Sequence, residues 1–479
     1  MEENNSPEAD LGLAGKMDPS EMSGPDAQVS ADDQAELISV ARNAFIIAAA
    51  IVALGAPLIS RYDGRQSRLL VWSAGLAALV GWVGSLIVSK RASANLASKD
   101  IGLTNRFVEN WGALGVFVAF LALYSTTMSN PTPFNAHVIQ AVAFLHGHAW
   151  IDLPYCCIEH ATYSGKYYQL HPPMPAILLI PFAAIWGNDL NQTSTCVTLA
   201  AFSVGLAWLM LGRMKLTVNS RVWLTIFFGA GTILWFEATA GGSWQLSMIV
   251  AVAFTMAALV ELYGDARPII IGLAAGLAAL ARYDLAFVWP IWMLLTYLKR
   301  PSLRELLWLA PGFVLATLIY AGFNEVRYGS FFDRGVFLFA SGTKLFAIRY
   351  LPDNLFVLLF TGPKLDFTFP YIHPVPGGQA LLLTSPAFLL AFRPSFRRIV
   401  PSALLVAAVI SIIPSLFYWA NGATQFGTHH YVHAFPFLFA LMALGLPCGK
   451  TDQLTRVLIS FSVLLIAYGV WHIDLYGFG

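Results

Sequence analysis

The stretch TMSNPTPFNAHVIQAVAFLHGHAWIDLPYCCIEHATYSGKYYQLHPP, Thr127 to Pro173, is polar and histidine-rich, yet it lies between strongly apolar runs. Of the ten histidines in the chain, it holds His137, His146, His148, His160 and His171. The rest, His373, His429, His430, His433 and His472, fall in later loops and spans. Hydrogen-bonding and titratable groups are costly beside hydrocarbon unless they serve a purpose. The loop therefore reads as the chemically active side of a membrane protein.

Composition agrees, because 57% of the 479 residues are hydrophobic and 11% charged, with a mean hydropathy of +0.64. A soluble domain of this size carries more charge. The net charge of +1 conceals an acidic tail, residues 1–38, in which Lys16 is the lone basic residue. Rich in Ser, Pro and Gly and free of aromatics, this tail is expected to be disordered and cytoplasmic. It lacks the basic start and apolar core of a signal peptide. The four cysteines, Cys156, Cys157, Cys196 and Cys448, suggest neither a disulfide framework nor a zinc spacing.

Windows of about 20 apolar residues predict an all-α polytopic membrane protein with about thirteen transmembrane helices, near 43–59, 69–89, 109–127, 191–211, 222–238, 244–263, 268–281, 284–298, 305–322, 378–392, 399–419, 431–447 and 456–472. Residues 39–108 supply two additional N-terminal helices, and 109–479 the main transmembrane domain. Basic residues in short loops favour a cytoplasmic N-terminus and an extracytoplasmic C-terminus. This orientation places the 128–172 loop outside, and the proline-rich run 173–187 then reads as an interfacial helix or one that dips in and returns.

Within the loop, the carboxylates are Asp152 and Glu159, with His160 beside the latter. A general base needs a carboxylate or imidazole within reach of an acceptor hydroxyl, and Glu159 is the first candidate. Pairing or capping within the loop is the competing role. Asn135 and His137 can bond a sugar or phosphate, or cap a helix over 135–146. Tyr168 and its aromatic neighbours suit stacking on sugar rings or an interfacial aromatic belt, and His171 is stiffened by Pro172. Arg282 either pairs with Asp284 or faces an anionic ligand. Arg327 and Arg334 belong to a basic cluster suited to a lipid phosphate or to ordinary headgroups. Gln425 and His429 lie in a compact polar turn, NGATQFGTHHY. With no phosphate-cradling loop or dinucleotide fingerprint, a soluble nucleotide donor has no visible site, and nothing points to nucleic acid.

The long loop after an early span, followed by GKYYQLHPPMPAILLIPFAAIWG, GLAAGLAALARYD, FNEVRYGSFFDRG, LLLTSPAFLLAF and QFGTHHYVHAFPFLFAL, resembles the GT-C membrane glycosyltransferases over roughly residues 109–447. The bacterial protein O-mannosyltransferase-like branch is the nearest likeness. The resemblance implies a polyprenyl-phosphate sugar donor, transfer with inversion to an envelope glycan, lipid or protein acceptor, and a carboxylate base in the first outer loop. Where such proteins carry an acidic residue early in that loop, this chain reads MSNPTPFNAH, with no carboxylate before Asp152. The expected roles are Glu159 as base, Asp152 or His160 orienting the acceptor, and Arg282, Arg327 and Arg334 around the donor phosphate. Asn135, His137, Tyr168, His171, Gln425 and His429 would line the binding site. No metal ligands are assigned, and the cofactor is unknown, a divalent cation staying open. The expected location is a bacterial inner membrane, in contact with membrane lipid. The rival classes are a transporter or lipid flippase, marked by internal repeats and midplane charges, and a non-catalytic assembly partner.

Overall fold

A computed structural model describes residues 101–128, 131–152, 159–340, 344–420, 422 and 425–476. The acidic tail, the first two expected spans, Asn130, Cys156, Cys157 and Asn421 lie outside the described residues. The described chain is mostly helical. It runs α1 (Ile101–Thr126), α2 (Ala136–Leu145), the hairpin β1 (His160–Tyr163) and β2 (Lys166–Gln169), α3 (Met174–Trp186), α4 (Gln192–Arg213), α5 (Val218–Ala230), α6 (Leu234–Ala240), α7 (Ser243–Tyr263), α8 (Pro268–Ala281), α9 (Trp289–Lys299) and α10 (Ala310–Tyr328). There follow α11 (Leu351–Leu359), a hairpin of β3 (Lys364–Leu365) and β4 (Ile372–His373), β5 (Gly377–Gln379), α12 (Ile399–Leu416), β6 (Gln425–Gly427), α13 (Phe435–Leu444) and α14 (Gln453–Tyr476). β1 and β2 pair antiparallel with His160 opposite Gln169, and β5 joins β6 in parallel with Gly377 opposite Gln425.

Among the described residues, five helical stretches are long and apolar enough to cross a membrane: Gln192–Arg213, Ser243–Tyr263, Leu303–Tyr328, Ile399–Leu416 and Gln453–Leu475. A sixth appears if α5 and α6, bent by 45°, count as one broken span. The expected number of about thirteen is not confirmed: the spans near 43–59 and 69–89 lie outside the described residues, those near 109–127 and 268–281 correspond to shorter apolar helices, and three more are broken for a chemical reason. The run 284–298 splits into a 3-10 turn, Tyr283–Val288, and α9; 378–392 into β5, a short turn and a 3-10 segment, Pro386–Phe392; 431–447 into a 3-10 turn, His429–Ala434, and α13. Pro290, Pro386 and Pro436 stand in the first turn of the segment after each break. Proline has no N–H to give to a preceding helical turn, so hydropathy continues where the helix does not. The 173–187 run forms the 13-residue α3, interrupted by Pro181 and too short to cross alone.

The helices pack in series, α1 on α4, α4 on α7, α7 on α8 and α8 on α10. α7 is apolar around its circumference and mostly buried at the centre, as a core helix should be. α10 is apolar but largely uncovered, with Leu318 and Val326 exposed. α8 and α10 meet backbone to backbone. A Cβ on Gly312 would lie 2.0 Å from the Gly272 carbonyl carbon, and one on Gly276 would lie 2.4 Å from the Gly312 oxygen. This is the close approach that small residues four apart permit in membranes, here Gly272 and Gly276 within the GLAAG run. Arg282 follows the last turn of α8, so its position depends on that crossing.

Gly312→Ala is therefore expected to lower the denaturation midpoint in detergent. Gly322→Ala, in the same helix with open space around it, is expected to be neutral or stabilising by up to about 1 kcal/mol. Both are read by thermal unfolding of purified protein.

Candidate functional site

The described part of the Thr127–Pro173 loop is docked through Phe134, Ala136 and His137 on the heads of α4 and α7. Gly241 ends α6 in the left-handed region, φ 60°, where glycine carries no steric penalty, and Ser243 opens α7. The Ser243 hydroxyl accepts from the Ala136 N–H (3.0 Å) and donates to the Phe134 carbonyl (2.7 Å). Gln192 donates to Phe134 and Gly241 carbonyls at 3.1 and 3.0 Å. Ser243 thus satisfies a free N–H at the start of α2, while Asn135, at the N-cap position, makes no side-chain capping bond.

This docking brings His137 under α7, where its Nε2 lies 2.9 Å from the Ser243 carbonyl and 2.9 Å from Ser247 Oγ. A carbonyl only accepts, so Nε2 carries the proton and Nδ1 keeps a lone pair. That buried Nδ1 has no partner among the described residues. Burial holds His137 at a pKa of about 4, against the Ser243 bond, which raises it. His171 lies 5.1 Å away, ring to ring. Burial first, then the fields of His137, Arg282 and His429, hold it well below the usual histidine value.

Trp244, the next residue of α7, connects these imidazoles to the carboxylate. Its indole N–H donates to Glu159 Oε2 at 3.2 Å, and its ring lies 5.1 Å from Phe134 and 5.9 Å, edge-on, from His171. Glu159 is half-buried. Burial raises its pKa, partly opposed by the Trp244 bond.

On the opposite wall, His429 and His430 face one another with ring centres 4.3 Å apart. Burial and then the charge of Arg282 depress His429 to about 3, and burial leads the depression of His430. Their Nδ1 and Nε2 atoms, respectively, have no partner among the described residues. Tyr418 closes the wall, 6.3 Å from His430, and the fields of Glu159 and Arg282 both reach it. Arg282 is paired to Asp284 at 2.7 Å, with the His433 Nε2 3.8 Å from the same carboxylate. Among the described residues, the surroundings of His171 thus hold neutral imidazoles, of which His137 and His429 keep an unpartnered ring nitrogen, together with the Glu159 carboxylate and the Arg282 guanidinium. Comparison with known protein families, curated proteins and solved structures finds no match.

The candidate residues divide. Glu159, His137, His171, Arg282 and His429 come together. Arg327 does not serve as an open phosphate clamp: it is 2% exposed, bonded to the Gln169 carbonyl (3.1 Å) and Asn324, 3.6 Å from Asp333, and stacked on Phe323. Gln169 in turn accepts from the His171 N–H at 2.7 Å, so Arg327 positions His171 through Gln169. Tyr168 is buried against Tyr328, which leaves no ring face for stacking a sugar. Gln425 is also structural, donating to the Gly377 carbonyl and accepting from the His429 N–H. Asp152 is exposed, 4.0 Å from His148, beside a depression of about 100 Å³. His160 packs edge-on against Tyr167, and Arg334 is exposed. No metal-ligand cluster of three or more His, Cys, Asp or Glu occurs among the described residues. The residues not foreseen as part of the site are Trp244 and Tyr418, both far from the loop in sequence.

A histidine whose folded pKa is depressed contributes stability that is present above its unfolded value and lost as pH falls, because the unfolded chain takes up the proton first. For His137 the window runs from about pH 6.5 to about 4. Glu159, with a raised value, acts with the opposite sign. Between pH 7 and 4, wild type should therefore lose up to about 1.4 kcal/mol per pH unit more than His137→Gln, as checked by paired unfolding curves.

Proposed function

We propose that the protein is an integral membrane glycosyltransferase that moves a sugar from a polyprenyl phosphate to an acceptor on the envelope side. The observation that carries this reading is the half-buried Glu159, held by Trp244, whose ring packs edge-on against His171, itself within the fields of His429 and Arg282. In the proposed step, Glu159 takes the acceptor hydroxyl proton as that oxygen attacks the anomeric carbon. The bond from that carbon to the phosphate oxygen breaks, and polyprenyl phosphate leaves with the electron pair. One base and in-line displacement give inversion. Arg282, which Asp284 holds at 2.7 Å, offsets part of the charge on the leaving phosphate, and fixed charge of this kind supplies a large share of rate in such sites. The open imidazole nitrogens accept sugar hydroxyls. The long apolar helices suit a multi-pass membrane protein, and on our reading the membrane is a bacterial inner membrane with the site outside and the N-terminus cytoplasmic, an orientation supported by the basic loops.

One observation favours a second reading, a transporter. Glu237, beyond the bend between α5 and α6, is 0% exposed, and neither carboxylate oxygen has a partner among the described residues. Buried acids in broken spans are typical of ion pathways. Glu237→Gln should abolish proton-coupled flux in proteoliposomes if this reading holds, and leave sugar transfer intact if the first does.

For purified protein supplied with polyprenyl-phosphate sugar, Glu159→Gln is expected to lower turnover by about 10² to 10⁴, and full turnover would discard Glu159 as base. The Trp244 bond favours the ionised carboxylate. Trp244→Phe should therefore move the acidic limb of the pH–rate profile to higher pH, whereas a merely structural role would lower the rate with the limb unmoved.

A further inference from the structure

Some distance along the chain from the site, the hairpin of β3 and β4 carries the tip DFTFPY, Asp366 to Tyr371. It presents large apolar side chains to the outside, with Phe367 at 101% exposure and Leu365 at 76%, and with Phe369 and Tyr371 exposed beside them. An exposed patch of this kind marks a surface that something covers. The tip is a built turn. Asp366 Oδ1 accepts from the Phe367 and Thr368 N–H groups at 2.7 and 3.4 Å, and the Tyr371 N–H donates to the Thr368 carbonyl at 2.8 Å. Phe369 and Tyr371 rings stand edge-on, 5.8 Å apart. The Asp366 charge is met by Lys364 at 3.4 Å, at the base of the turn. The end left outward is apolar.

Its place in the molecule selects the occupant. The Tyr468 hydroxyl of α14 donates to the Ile372 carbonyl at 2.6 Å. His373 Nδ1 lies 3.2 Å from His472 Nε2 on the same helix. α14 is one of the candidate spans, and its uncovered apolar stripe, Val457, Phe461, Leu464 and Trp471, leads toward the hairpin. Aromatic side chains gather where a span meets the headgroups, and here Trp471, Tyr468 and the tip aromatics lie together at one end of α14.

We propose that the 364–373 hairpin is a membrane wedge whose aromatic tip enters the headgroup and upper acyl region of the phospholipid leaflet on the face of the candidate site. Beyond the wedge, the chain enters β5, whose Gly377 carbonyl accepts from Gln425 at 3.0 Å, and Gln425 accepts from the His429 N–H at 3.1 Å. The wedge therefore ties the β5–β6 pair, and with it the His429 wall, to the bilayer surface. The assignment rests on the exposed tip and on α14, independently of which reaction the site performs.

The test is spin-label accessibility in phosphatidylethanolamine and phosphatidylglycerol vesicles. Phe367→Cys, and Thr368→Cys with both tip phenylalanines kept, would be labelled in a background of Cys156→Ser, Cys157→Ser and Cys448→Ser. Asp265→Cys, between α7 and α8, serves as the aqueous reference, since Asp265 is exposed. The wedge predicts that labels at 367 and 368 are oxygen-accessible and several-fold less accessible to a nickel chelate than the label at 265. Nickel access equal to that at 265 would overturn the proposal by leaving the tip in water. Shielding from both reagents would also overturn it, by showing the tip covered by protein.

Discussion

The site depends on one residue at the head of one helix. Ser243 uses its hydroxyl to accept from Ala136 and donate to Phe134, and its carbonyl to accept from His137. These groups would otherwise be unsatisfied beside apolar core, where an unmade hydrogen bond costs about 1 to 3 kcal/mol. Satisfying them fixes the register of α2 against α7. Once that register is fixed, the neighbouring Trp244 meets Glu159, and His137 meets His171. Loop geometry is thus set from within the helix bundle.

The opposite wall is held by different means. α8 reaches its position through contact of glycine backbones with α10, and Arg282 and Asp284 follow directly. The His429 turn is held by a parallel strand pair and by Gln425. Arg327 connects the two sides, because α10 carries it and its bond ends on Gln169, two residues before His171. The placement of Arg282 and His429 relative to the loop therefore follows from how the helices and the β5–β6 pair pack. Neutral imidazoles suit such a place, since they donate and accept without adding charge that burial would penalise.

Much of this was legible in the chain. Of the loop histidines, His137 and His171 come together, Trp244 links them to Glu159, and Arg282 pairs with Asp284 as their adjacency suggested. Trp244 was not legible, because a tryptophan at the head of an apolar run reads first as an interfacial anchor, and its partner lies 85 residues away. The buried state of Arg327 and Tyr168 was hidden for a related reason: a basic or aromatic residue near an interface looks the same whether it faces a lipid phosphate or folds inward on Phe323 and Tyr328. Hydropathy windows also run on across the helix breaks within 284–298, 378–392 and 431–447, since they are blind to the missing N–H of Pro290, Pro386 and Pro436.

On the proposed reading, Glu159 sits in a sugar-transfer site. The most direct test of that reading is mass spectrometry of polyprenyl-linked sugars and envelope glycans in cells lacking the protein, rescued by wild type or by Glu159→Gln. Loss of one envelope sugar with build-up of its lipid-linked donor, reversed by the wild type alone, is the expected result. Unchanged glycans and donor pools in the deletion would contradict it.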